Sequence, residues 1–183
     1  MYKFPQGLAS YNLDDEYMTP YYALNGFFEY TKIDTSARIW EPFLGDGTSV
    51  KKIQKIGYKN VHYEDINFFE ATPPSRDSII VTNPPFSIKK QILDHIINTL
   101  KWDRFALLLP VCVIFTRYFH DILRRRGDIK IDILVPYSRV QFLKNGKVPG
   151  KCSFDSCWVV AGIKLGETNK GYHFLPPWTT KER

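Results

Sequence analysis

The chain has 183 residues, a hydrophobic fraction of 44% and an aromatic fraction of 15%. That suits one compact domain with a real core and excludes disorder as the main state. The formal net charge of +6 favours an acidic partner, of which nucleic acid is the commonest. No stretch approaches the ~20 apolar residues of a membrane helix. The first residues, MYKFPQGLAS, lack the basic-then-apolar layout of a signal peptide. Cys112, Cys152 and Cys157 are too few and odd in number for a disulfide framework, so a reducing, cytoplasmic setting is expected.

Residues 1–18 are polar and aromatic, with an acidic cluster at Asp14, Asp15 and Glu16. Thr19 as N-cap and Pro20 at the first helical position predict a helix over Tyr21 to Tyr30. Ala37 to Glu41 reads as a strand ended by Pro42, and residues 43–47, FLGDG, as a glycine-containing turn. A helix is predicted from Thr48 to Ile56, with Val50, Ile53 and Ile56 at helical spacing and Gly57 as its stop. Asn60 to Glu64 is the second strand. Ser78 to Thr82 is the third, cut off by Asn83-Pro84-Pro85-Phe86, because two prolines cannot donate to a ladder.

Ser87 to Leu100 repeats Ile88, Ile92, Ile96 and Leu100 every four residues and predicts an amphipathic helix. Phe105 to Leu109 reads as a strand buried on both faces. A helix over Thr116 to Arg126 ends in Arg124, Arg125 and Arg126, read as a solvated end favoured by the helix dipole. Ile129 to Val135 and Cys157 to Ile163 are two more strands. The loop between them carries Arg139, Lys144, Lys147 and Lys151. The tail from Gly166 is polar, with Trp178 as an anchor. Alternating strands and helices predict an α/β fold with a mostly parallel sheet.

Ligands of such sheets bind at the carboxyl ends of the strands. The glycines of Glu41-Pro42-Phe43-Leu44-Gly45-Asp46-Gly47 allow a tight turn and close approach of a ligand, beside the N–H groups of the following helix. A dinucleotide fingerprint would need a third glycine where Val50 stands, which disfavours nicotinamide and flavin dinucleotides. Asp65 ends the second strand, where an acid holds the ribose hydroxyls of a nucleoside. At the third strand end, the Asn83 side-chain oxygen and the Pro84 carbonyl can both accept from one planar NH₂ group, and Phe86 can stack on the attached ring. His62, His95, His120 and His173 show no metal spacing, the cysteines have no partners for zinc, and no metal is expected.

EPFLGDG, an acidic strand end and then NPPF resemble the S-adenosylmethionine-dependent amino-methyltransferases, above all the N6-adenine type with NPPF, including small phage-like DNA adenine enzymes. Tyr17-Met18-Thr19-Pro20 resembles the cofactor motif that precedes the glycine loop in one subgroup. The resemblance runs from about Tyr17 to about Ile163 and implies a Rossmann-like fold with helices on both faces and an antiparallel last strand. It implies one methyltransferase domain: an N-terminal cofactor-motif segment (1–35), a catalytic core (36–165) and a tail (166–183). Tyr17, Thr19, Pro20, Glu41, Pro42, Phe43, Gly45 and Gly47 would surround S-adenosylmethionine. Asp65 would bind its ribose, and Ile66 or Phe68 would flank its adenine. Asn83, Pro84, Pro85 and Phe86 would hold the target base.

The chain departs from the family in two ways. Residues 66–77 are too few for a full helix, strand and return, so the family's third strand is expected to be missing or reduced. There is also no room for a separate target-recognition domain, so specificity is expected to come from loops, from a protein partner, or to be weak. Arg139, Lys144, Lys147 and Lys151 are the expected phosphate contacts. The expected activity is transfer of a methyl group to adenine N6 in nucleic acid, DNA before RNA. The alternatives are a protein glutamine methyltransferase, against which Phe86 and the charge argue, and an inactive subunit that binds nucleic acid.

Overall fold

The computed structural model describes residues 17–165 and 172–177. The predicted acidic cluster at Asp14 to Glu16 and the Trp178 anchor lie outside those residues. The described strands are β1 (Ile39–Trp40), β2 (Val61–His62), β3 (Ile79–Thr82), β4 (Phe105–Pro110), β5 (Asp132–Val135), β6 (Ser156–Ala161) and β7 (Tyr172–Phe174). They form one sheet in the order β2-β1-β3-β4-β6-β5-β7. All pairs are parallel except those of β6, which lies antiparallel between β4 and β5. The expected antiparallel strand is therefore present. The expected gap is present too, since residues 63–78 form turns and no strand. The tail holds a strand that the sequence reading missed: β7 pairs parallel with β5, Leu134 opposite His173.

Strand alternation sorts the core into two layers. Ala106 and Leu108 of β4 face one side with Trp158, and Phe105, Leu107 and Leu109 face the other with Val159. Helices α1 (Tyr21–Thr31) and α2 (Thr48–Ile56) cover the first face. The α1 face is Ala23, Leu24, Phe27, Phe28 and Thr31, all buried, and the Phe27 ring lies 4.4 Å from that of Trp158. The second face is covered by α3 (Lys89–Asp94), the turns that flank it and α4 (Arg117–Arg126).

Three helix predictions are refined. Pro20, not Thr19, is the N-cap of α1: its ψ of 154° is extended, and the Thr19 hydroxyl makes no capping bond. The predicted helix over Ser87 to Leu100 is a 3₁₀ turn at Phe86–Ile88, then α3, then a π-helical turn at His95–Thr99, closed by the Leu100 N–H to the His95 carbonyl at 2.8 Å. Ile92, Leu93, Ile96 and Ile97 are all buried, so Leu93 and Ile97 join the predicted four-residue repeat on the core face. Thr116 caps α4, accepting from the Phe119 N–H. At its end, Arg124, Arg125 and Arg126 pair with Asp121, Asp94 and Asp128.

Candidate active site

Parallel pairing of β1 and β3, with Trp40 opposite Ile80, brings Glu41 and Thr82 to one rim of the sheet. Glu41 is 2% exposed; its Oε1 accepts from Thr82 Oγ1 at 2.5 Å and from the Phe43 N–H at 3.1 Å. Burial outweighs both hydrogen bonds and pushes the carboxyl up to about 8, so at neutral pH it is largely protonated. Pro42 and Phe43 are buried behind it.

The turn that follows needs its glycines. Gly45 and Gly47 have φ of 55° and 76°, and the Gly47 N–H closes the turn on the Leu44 carbonyl at 2.8 Å. Asp46 Oδ1 accepts from the Thr48 N–H at 2.9 Å and from Thr48 Oγ1 at 2.7 Å. One of the α2 N–H groups expected to face a ligand is thus already taken.

Residues 17–20 form a strap across this rim. A Cβ on Gly45 would lie 3.0 Å from Met18 Cε, so the strap rests on the glycine turn. Lys52 Nζ donates to the Thr19 carbonyl at 2.7 Å, and burial lowers the lysine's pKa while Asp46 opposes that shift. The Thr19 hydroxyl is buried without a hydrogen-bond partner. Pro20 is buried beside it, and Tyr17 is half-buried. Lys52 was not foreseen; its signal was its place three residues after Ser49, on the buried side of α2.

Asn83 is held from the same strap. Its Nδ2 donates to the Tyr17 carbonyl at 2.8 Å, and its Oδ1 is buried with no hydrogen-bond partner. Pro84 and Pro85 are buried, and Lys89 Nζ caps the Phe86 carbonyl at 2.8 Å. The Phe86 ring meets Phe142 and Phe154 edge-on, with centroids 5.8 and 5.6 Å away. These rings, Tyr17, Lys151 and Cys152 line a cavity of about 400 Å³. Sequence reasoning missed Phe142 and Phe154, whose approach to Phe86 is a long-range contact.

Asp65 is exposed beyond β2 and Ile66 is half-buried. Phe68 is 3% exposed, packed 4.8 Å from Phe43 and 5.9 Å from Trp40. Of the two adenine-flanking candidates, Ile66 alone keeps surface for a ligand.

The basic loop divides. Arg139 makes a two-pronged bond to the Asp155 carboxylate, at 2.9 and 3.1 Å, and a third bond to the Cys152 carbonyl at 2.9 Å. It braces the loop, and its fork, expected to face phosphate, is here engaged by a planar carboxylate. Lys144 lies over the Tyr17 ring at 5.5 Å. Lys144 and Lys147 exchange backbone hydrogen bonds across Asn145-Gly146, both at positive φ, a tight hairpin that leaves Lys147 exposed. Lys151 is exposed as well.

No family model and no curated relative matches the sequence. Solved structures do match in fold. A 23S rRNA methyltransferase, ErmE, aligns with a TM-score of 0.53 at 12% identity, over 79% of this chain and 68% of that one. A Listeria monocytogenes protein described as a class I S-adenosylmethionine-dependent methyltransferase aligns at 0.54 and 9% identity, over 90% and 67%. A modification subunit of a type I restriction enzyme from Vibrio vulnificus aligns at 0.53 and 11% identity, over 81% of this chain but only 44% of that subunit. The fold is therefore the Rossmann-like fold of S-adenosylmethionine-dependent methyltransferases. This chain spans less than half the length of the modification subunit.

Proposed function

We propose that the protein transfers a methyl group from S-adenosylmethionine to the N6 amino group of adenine in nucleic acid, DNA in preference to RNA. The observation that carries this reading is the Asn83 carboxamide: its nitrogen is committed to the Tyr17 carbonyl, and its oxygen is buried with no partner. A buried acceptor without a donor is costly, and a ligand N–H would satisfy it.

The residues fit the cofactor. The Thr19 hydroxyl is a second buried group without a partner, on the strap that crosses the glycine turn. Thr19, Gly45 and Gly47 would hold the amino-acid end, and Asp65 the ribose. When bound, the cofactor supplies a methyl group on a positively charged sulfur.

The chain's own residues orient the nucleophile. Asn83 Oδ1 and the Pro84 carbonyl accept the two N–H bonds of the amine, which draws the nitrogen lone pair out of conjugation with the ring. Phe86 stacks on the base, replacing the neighbours it loses on leaving a stack. As the nitrogen–carbon bond forms and the carbon–sulfur bond breaks, one amine proton is released to solvent. Much of the acceleration is positioning, so no strong acid or base is required. The largely neutral Glu41 serves as a hydrogen-bonding floor.

The test is label transfer from S-adenosylmethionine to DNA, RNA and peptide, followed by mass analysis of the nucleosides. N6-methyladenine that disappears with Asn83→Ala supports the reading. Label on peptide glutamine, or full activity in Asn83→Ala, overturns it. Absence of cofactor binding by calorimetry would leave the inactive, nucleic-acid-binding subunit as the better account.

A further inference from the structure

Beyond the site, four rings of the described residues are more than half exposed: Phe174 and Tyr172 on the border strand β7, and Phe115 and Tyr137 in the turns that follow β4 and β5. Phe115 is 77% exposed and Tyr137 is 64% exposed. Phe115 ends the 3₁₀ turn Val111–Phe115 that follows β4, and Tyr137 lies just past β5. Both strands are antiparallel to β6, which lies between them, so both deliver their carboxyl ends to the rim that holds Asn83. Two strand spacings put those ends about 10 Å apart. The rim is also tied together locally. The Val111 N–H donates to the Asp155 carbonyl at 2.8 Å, and Lys90, just beyond the NPPF turn, lies 5.9 Å over the Tyr118 ring.

We propose that Phe115 and Tyr137 are stacking contacts for the bases that flank the target in a single-stranded segment of nucleic acid. The inference rests on the nucleic-acid reading above and adds the form in which the polymer is bound. The glycine turn and Asp65 lie at the ends of β1 and β2, on one side of Asn83; Phe115 and Tyr137 lie on the other side, past β4 and β5. The surrounding charge suits a phosphate backbone. The Arg117 side chain is 95% exposed, with an ion pair to Asp121 at 3.6 Å, and Lys147 and Lys151 are exposed. Asp155, whose carbonyl accepts from the Val111 N–H, has its carboxylate paired with Arg139. A duplex hides the faces of its bases, whereas a single strand offers them to aromatic side chains.

The experiment measures binding of a fluorescent oligonucleotide with a single adenine, alone and annealed to its complement, across a salt series. The wild-type protein is expected to bind the single strand more tightly. Phe115→Ala and Tyr137→Ala should each weaken that binding about tenfold. Their salt slope should not change, since neither removes a charge, whereas Arg117→Gln should lower it by about one. Single-strand binding within twofold of wild type in both aromatic variants, with methyl transfer still dependent on Asn83, overturns this inference alone. Wild-type protein that binds neither form overturns the nucleic-acid reading together with it.

Discussion

Met18 and Leu143 exchange two backbone hydrogen bonds, N–H of Met18 to the Leu143 carbonyl at 2.7 Å and the reverse at 2.9 Å. This short antiparallel bridge joins the strap over the glycine turn to the loop that walls the aromatic cavity. Through Tyr17, the same strap holds the Asn83 amide. Leu143→Pro removes one donor of the pair. Cofactor and oligonucleotide binding should both weaken, by roughly 1 kcal/mol each, in isothermal titrations. A loss confined to one ligand would mean that the strap does not serve both.

Gly45→Ala meets two obstacles. Its φ of 55° is left-handed, which costs an alanine about 1–2 kcal/mol. The new methyl would also press on Met18 Cε and Sδ, at 3.0 and 3.1 Å. Gly47→Ala, with its nearest neighbour 3.8 Å away, carries the backbone strain alone. Thermal unfolding should rank the two, Gly45→Ala falling further, and only Gly45→Ala should show a strap more open to proteolysis.

The buried Glu41 makes stability depend on pH. Its folded-state value, about 8, lies above the ordinary 4.5, so the folded chain binds this proton more tightly than the unfolded one. Its contribution is therefore fully present below about 4.5 and is lost as pH rises towards 8. Glu41→Gln mimics the protonated carboxyl and keeps an acceptor for Thr82 and Phe43. Melting temperatures between pH 5 and 8 should fall less steeply in Glu41→Gln than in the wild type. Parallel slopes would show that the carboxyl ionises freely.

Arg139 and Lys151 should separate by salt dependence. Arg139→Ala breaks the brace to Asp155 and Cys152, so faster cleavage of residues 139–155 by protease is expected, with little change in the salt slope of nucleic-acid binding. Lys151→Gln should leave cleavage unchanged and lower that slope by about one. The opposite pattern would return Arg139 to the backbone-binding role its charge first suggested.

What the sequence disclosed, and what it withheld, follows from the range of each interaction. The helix from Thr48 to Ile56 was legible because apolar spacing and two flanking glycines act within a few residues. The NPPF turn was legible because proline ends a strand wherever it stands. The missing strand could be inferred from the shortness of residues 66–77. By contrast, the Asn83 bond to Tyr17 and the Phe86 contact with Phe142 join distant parts of the chain. A basic loop looked uniform until Asp155 singled out Arg139. Strand β7 was hidden because three residues, Tyr172-His173-Phe174, carry too little pattern, and what secures them is a partner strand and the Tyr30 hydroxyl, 3.0 Å from His173 Nδ1.

The strand absent after β2 also changes how the molecule meets its own kind. Among the described residues β2 is the border of the sheet, and a sheet border can recruit a second chain and seed aggregation. Here that border is only Val61 and His62, and just past it stand the exposed carboxylates of Glu64 and Asp65. Two residues give an incoming strand almost no ladder to extend, and like-charged copies repel one another there. A border this short, with acids just past it, offers no long sticky flank on that side.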